Sequence, residues 1–293
     1  MTQRDAVIRD IGYRGYEGPR AGRAGILGYL VRHGLSAAFG GGRSWKGKVM
    51  PAVCLVLICA PMLIASAIML LIPVGEMEPV FHPARVPYAF YTVVSLFAAV
   101  AAPTLFSTDL RSRSIVHYLS RPLSRVDYVL ARLGALVLAL VVLQGSAILI
   151  GAIGWLLASG KPQTVLGAAG VGLLGALLLS AVVGTLSGLV AALTPRRGVA
   201  TAVILGLLLV LGAVFSAVTE ALKSTGATEG LLARFSPMVS PSGAVERVVR
   251  WLTGNHELTA APDELAAATY LVAVLAGLVL GGWLLVRRYR RVS

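Results

Sequence analysis

Residues 42–48 read GRSWKGK and satisfy the G-x-x-x-x-G-K part of a phosphate-binding loop. Such a loop cradles phosphates with its backbone amides, and a Ser or Thr after the Lys holds magnesium. Val49 stands in that position, no strand precedes the segment, and an apolar run begins two residues after the Lys. The expectation is a basic turn anchoring a helix, with no nucleotide site. Four histidines, His33, His82, His117 and His256, are scattered, and none makes H-E-x-x-H or another ligand spacing. Glu76, Glu78 and His82 read as a solvated loop. Cys54 and Cys59 are five positions apart and do not share a helical face, so each is expected to pack as a small apolar side chain. No pair of acidic residues lies within an apolar run, as an intramembrane hydrolase or proton relay demands. Gln144, in VVLQGSAIL, is the clearest polar residue at that depth, and a bond to a neighbouring helix is expected.

The elements that hold these residues follow from composition. Hydrophobic residues make up 57% of the 293, charged residues 13%, and the mean hydropathy is +0.81. Several runs exceed the roughly 18 apolar residues that mark a spanning helix. Lipid offers no partner to an unpaired backbone group, so the fold class is an all-α polytopic membrane protein. Six spans are predicted, at 50–72, 88–108, 126–158, 164–193, 198–219 and 265–288. The third and fourth are longer than a bilayer of about 30 Å needs and should tilt or project. One membrane domain over residues 49–293 follows a segment at 1–48, with no separate soluble domain. About 48 mostly polar residues precede the first run, too many for the n-region of a cleavable signal.

Orientation is read from basic residues. Residues 1–49, the 109–132 stretch, the turn at 195–197 and the tail hold 20 of the 26 Lys and Arg. Both termini and the 109–125 loop are therefore expected in the cytoplasm, with the longest outer loop at 220–264. The basic excess resembles a nucleic-acid signal only in total, because its distribution follows the spans; no nucleic-acid partner is expected.

AGILGYLVRHGLSAAFG, residues 24–40, carries Ile26, Leu27, Leu30, Val31, Leu35 and Phe39 at helical spacing, with Arg23, Arg32 and His33 opposite. An amphipathic helix lying in the inner interface against lipid headgroups is predicted. In the outer loop, GLLARFSPMVSPSGAVERVVRWLTG reads as two short amphipathic helices split by Ser-Pro turns, with Trp251 at headgroup depth. Gly184 with Gly188 and Gly277 with Gly281 form G-x-x-x-G, and Gly167, Gly170, Gly172 and Gly175 crowd the fourth span. Small residues let helix backbones approach closely in lipid, within the bundle or toward a second subunit.

The stretch DLRSRSIVHYLSRPLSRVDYVLAR, residues 109–132, places charges, two tyrosines and a proline between two apolar runs. Leu110, Ile115, Tyr118 and Leu119 line one side of a short helix that Arg121-Pro122 should break. Ser124 then caps the third span. A solvated loop needs no such apolar display, and a membrane anchor needs no rigid corner. The pattern suits a short helix presented to a cytosolic protein.

The same stretch resembles the loop between the second and third spans of ABC-2 type transporter permeases, the membrane subunits of six-span ABC exporters. Asp109, Leu119, Pro122, Ser124, Arg125 and Arg132 are the matching positions. GYRGYEGPRAGR, then an amphipathic helix and GGGRSWKGK, is similar to the actinobacterial branch, and FSPMVSPSG resembles the Pro-containing segment before the last span. Ser114-Ile115 departs from the commoner Gly-Thr, and Asp109 from the commoner Glu. The resemblance implies a coupling helix formed by Asp109, Tyr118, Leu119, Arg121, Pro122, Leu123 and Arg125 that docks on a separate ATP-binding subunit. It implies no cofactor in this chain, with ATP and Mg in that partner, and a second permease of the same or a different sequence. Two rival readings differ in what they need. A lipid-modifying membrane enzyme requires clustered Asp, His or metal ligands at the interface, and a secondary transporter requires intramembrane ionisable groups or broken-helix repeats.

Overall fold

The computed structural model describes residues 22–71, 79, 81–107, 124–194, 196–225, 230–255, 258 and 264–291. All regular structure among them is helical. The order is α1 (Arg23–Ala38), α2 (Trp45–Leu71), a 3-10 turn (Pro83–Arg85) leading into α3 (Val86–Ala89), α4 (Tyr91–Leu105), α5 (Arg125–Ser159) and α6 (Pro162–Leu193). Then come α7 (Arg197–Ser224), α8 (Leu231–Phe235) with a 3-10 turn (Ser236–Val239), α9 (Pro241–Thr253) and α10 (Glu264–Arg291). Helices α2, α5, α6, α7 and α10 are each long and apolar enough to cross a bilayer, and the bent pair Pro83–Ala89 and Tyr91–Leu105 provides the sixth candidate. At 35 and 32 residues, α5 and α6 rise about 50 Å, well past the roughly 30 Å of hydrocarbon.

Helices α5 and α6 form the centre of the bundle. They pack most extensively on each other, with α2 against α5, α10 and α9 against α6, and α7 against α4. In the most apolar window of α5 and of α6, 44% of residues are buried, against 17% in α7 and 22% in α10. The outer helices therefore show their Val and Leu side chains outward, including Val210, Val214, Val279 and Leu280. That face suits lipid, where an apolar surface needs no cover. Close packing, with no hydrophobic drive between helices, must hold such a bundle together.

The second span, predicted at 88–108, is a bent pair of helices. Its regular part, α4, has 15 residues, about 22 Å, and bends by 57° from Pro83–Ala89. The reason lies in α6. A Cβ on Gly172 would sit 2.4 Å from the Pro83 carbonyl oxygen, and one on Gly175 2.5 Å from the Tyr88 hydroxyl. Two of the four crowded glycines thus form the trough that receives the bent entry. Gly167 and Gly170 meet nothing within 4 Å. Downstream, α4 is the most enclosed element, with Val94, Phe97, Ala98, Ala99, Ala102 and Leu105 buried.

The glycines of GGGRSWKGK serve turn geometry. Gly40 and Gly42 adopt φ of +79° and +73°, a left-handed conformation that L side chains rarely take. Gly40 also packs so closely that a Cβ would lie 2.6 Å from the Gly47 carbonyl oxygen. In the outer segment, α8 and α9 match the two predicted short helices. Helix α9 turns Val245, Val248 and Val249 inward and leaves Trp251 and Leu252 exposed. The Tyr270 hydroxyl donates to the Arg234 carbonyl and joins α10 to α8.

Candidate functional site

One end of the bundle carries α1, the 39–44 turn, the last residues of α4, α6 and α10 and the first residues of α5 and α7. Most of the described basic residues stand at this end of the helices. The chain leaves α4 through Phe106 and Ser107 and re-enters α5 at Ser124. Asp109, Tyr118, Leu119, Arg121, Pro122 and Leu123 lie outside the described residues, as does the predicted helix and its break at 121–122. The two roots of the stretch are described in full.

At the re-entry root, Ser124 caps α5 as expected and does so reciprocally. Its hydroxyl accepts from the Asp127 amide at 3.1 Å, and the Asp127 carboxylate accepts from the Ser124 amide at 3.2 Å. This capping box satisfies two otherwise orphaned donors and places a negative charge at a helix N-terminus, where the helix dipole favours it. Asp127 also accepts from Arg23 of α1, from Nε at 2.9 Å and from Nη2 at 2.6 Å. The hydrogen bond and the charge of Asp127 raise the Arg23 guanidinium above its ordinary value. Helix α1 lies along α5 and α4 with Ile26, Leu30, Gly34 and Ala38 buried, whereas Leu27, Val31 and Leu35 are only partly covered. A Cβ at Gly34 would meet that of Ala135 at 2.7 Å, so the missing side chain sets the approach.

At the exit root, Phe106 and Ser107 are buried. The Ser107 hydroxyl donates to the Ala191 carbonyl at 2.8 Å, and Arg288 Nε donates to the neighbouring Ala192 carbonyl at 3.5 Å. Across from them, Arg125 Nη1 donates to the Arg290 carbonyl at 2.7 Å. All three acceptors are last-turn carbonyls of α6 or α10, groups that a helix leaves without an internal partner. Both roots are thus fastened to helix ends by the same chemistry.

Between the roots lies an aromatic group. The Tyr289 ring of α10 stands 5.9 Å from that of Tyr128 and 6.5 Å from that of Phe106. Tyr128 is held by Arg132, whose guanidinium sits 5.4 Å over the ring and whose Nε donates to the hydroxyl at 3.2 Å. Arg132 itself is buried. Nearby, Arg43 Nη1 donates to the Thr104 hydroxyl at 3.2 Å. Burial, and next the charge of Arg197, lower the Arg43 guanidinium from its ordinary value.

The helix-packing glycines separate into two kinds. A Cβ at Gly184 would meet Val137 at 3.2 Å on α5, one at Gly188 would meet Phe106 at 3.2 Å, and one at Gly281 would meet Thr185 at 2.4 Å. Gly277 is the exception: nothing stands within 4 Å of its Cβ position, so among the described residues it brings no helices together. Gln144 is fully buried and donates to the Ser180 hydroxyl at 2.8 Å, joining α5 to α6. Cys54 and Cys59 are free, and Cys59 Sγ lies 3.3 Å from the Ser146 hydroxyl.

Sequence reasoning brought Ser124, Arg125 and Arg132 to this site but missed Arg23–Asp127 and Tyr289. A local signal existed for the cap, because Ser124 and Asp127 stand at the spacing of a capping box. None existed for the other two, whose partners lie more than 100 residues away.

Residues 24–288 match the family model described as ABC-2 family transporter protein. None of the curated proteins compared with the chain matches it.

Proposed function

The chain belongs to the ABC-2 family of transporter proteins, and from that membership we propose that it is the permease of an ABC exporter, driven by ATP that a separate subunit hydrolyses. It is a multi-pass membrane protein. Both termini and the 109–125 stretch face the cytoplasm of the cell that carries it in its plasma membrane, a reading that rests on the basic excess at that end. Residues 1–48 form the cytoplasmic entry with its interfacial helix, and 49–293 the transmembrane domain. The entry motif GYRGYEGPRAGR favours the actinobacterial-type branch.

The observation that carries the reading is the family match over nearly the whole chain, with the coupling-type stretch set between two firmly fastened roots. Tyr118, Leu119 and Leu123 fill an apolar pocket on the ATP-binding subunit, with Asp109 and Pro122 shaping the stretch. Arg121 faces the pocket's rim, and Arg125 joins the stretch to α10. The permease works as a pair, with a second copy or a related chain, and lipid surrounds both. ATP and Mg belong to the partner.

Co-purification and ATP hydrolysis in lipid test this. Truncating buried interface anchors costs about 2 kcal/mol or more, roughly thirtyfold in affinity. Tyr118→Ala combined with Leu119→Ala should therefore lose the ATP-binding subunit while keeping expression and the thermal transition. Full association in the double variant would reduce the stretch to a basic inside loop.

A further inference from the structure

We propose that Tyr289, near the end of α10, is a positioning residue for energy coupling, wedged between the two roots of the 109–123 stretch so that its displacement is passed to the last helix. The inference rests on the exporter reading and extends it to a helix outside the stretch itself.

Three observations carry it. Tyr289 is 2% exposed, and its ring contacts the Tyr128 ring of the re-entry root and the Phe106 ring of the exit root. No other described ring contacts both roots. Each neighbour is itself closely packed or bonded. Phe106 is enclosed, with Gly188 of α6 leaving room for its ring, and Tyr128 is clamped by Arg132. Finally, the backbone around Tyr289 is tied on either side. Arg288 reaches the Ala192 carbonyl, and the Arg290 carbonyl receives Arg125.

A close-packed group of this kind transmits displacement because it cannot compress: packed interiors are as dense as organic crystals. A push on either root must move the wedge or expel it. Moving it carries the end of α10, whose Leu285 packs toward Gly188 and whose Gly281 packs on Thr185. The same contact would thus connect a cytosolic event to α6 and α10 at membrane depth. Coupling between sites of this order typically spans about 5- to 150-fold in the affected equilibrium.

The test uses the permease co-purified with its ATP-binding subunit in nanodiscs of phosphatidylglycerol and phosphatidylcholine. The readout is hydrolysis of Mg-ATP by the complex relative to the released ATP-binding subunit, beside the amount of subunit retained and the thermal transition. Tyr289→Ala should keep the subunit bound and the transition within a few degrees, yet lower the permease-dependent part of hydrolysis about tenfold. Tyr289→Phe, which keeps the ring, should restore it. Should Tyr289→Ala fail to fold, Tyr289→Val, too short to fill the space beside Phe106 and Tyr128, is expected to uncouple in the same way. Wild-type coupling in Tyr289→Ala, or equal loss in Tyr289→Phe, would overturn the wedge while leaving the exporter reading intact. A wild-type chain that retains no ATP-binding subunit would overturn both.

Discussion

Arg23 and Asp127, 104 residues apart, meet in a two-point ion pair whose carboxylate also closes the capping box of α5. The Arg23 side chain is 65% exposed and that of Asp127 11%, so the pair sits at the surface with its acid side sheltered. One carboxylate thereby holds both the start of α5 and the start of α1. The N-terminal end of α1, the predicted interfacial helix, is thus fastened to the re-entry root of the 109–123 stretch.

Removing the ion pair should therefore loosen α1 more than it destabilises the bundle. Arg23→Ala is expected to raise amide hydrogen exchange over residues 24–30 and leave α5 protected. Asp127→Asn should raise exchange at both helix starts, because it weakens the cap as well. Exchanging the two residues, Arg23→Asp with Asp127→Arg, should not restore wild-type protection, since Arg at position 127 cannot accept from the Ser124 amide. Full restoration would show that the ion pair alone matters and the cap does not.

The glycine positions should differ in their tolerance of bulk. Gly184→Leu and Gly188→Leu would force side chains against Val137 and Phe106, at about 1–3 kcal/mol each for overpacking. Gly281→Leu should be at least as harmful, because Thr185 approaches it more closely than Val137 or Phe106 approaches the other two. Gly277→Leu should keep yield and thermal transition near wild type in the single chain. A loss of paired permease in Gly277→Leu, with its transition unchanged, would place that position at a contact between copies. Size-exclusion profiles and melting curves in detergent distinguish these results.

Membrane sidedness is open to a direct measurement. With the native cysteines replaced, single cysteines near 230–255 should react with an impermeant maleimide on intact cells. Those at 111–125 should react only after the membrane is opened. Labelling of position 113 from outside would reverse the orientation that the basic residues imply.

The polar contact between α5 and α6 should matter little on its own. Side-chain hydrogen bonds within membranes average about 0.6 kcal/mol, so Gln144→Leu and Ser180→Ala should each shift stability by no more than about 1.5 kcal/mol. A larger loss of transport with stability preserved would move Gln144 from packing to the substrate path. Thermal unfolding beside a transport assay separates the two.

Much of this protein is legible without tertiary structure, because each such feature is local. Apolar runs longer than a bilayer and the Ser124 cap depend on neighbours within a few residues, and both recur among the described helices. The split of the outer loop into α8 and α9 likewise follows from Ser-Pro pairs at 236–237 and 240–241. The bend before α4 belongs to the other kind. Pro83 and Pro87 permit it, but its 57° angle depends on the trough that Gly172 and Gly175 open in a helix some 85 residues later. Gly277 and Gly281 make the same point from the opposite side: identical in the motif, one packs on Thr185 and the other faces open space. Spacing identifies a face of a helix, whereas the neighbour on that face is chosen by how all the helices pack. For that reason the sequence by itself determined the spans, their charge partition and the start of α5. Only the tertiary structure decided that Arg23 meets Asp127 and that the Tyr289 ring fits between Phe106 and Tyr128, since those contacts join segments with no local relation.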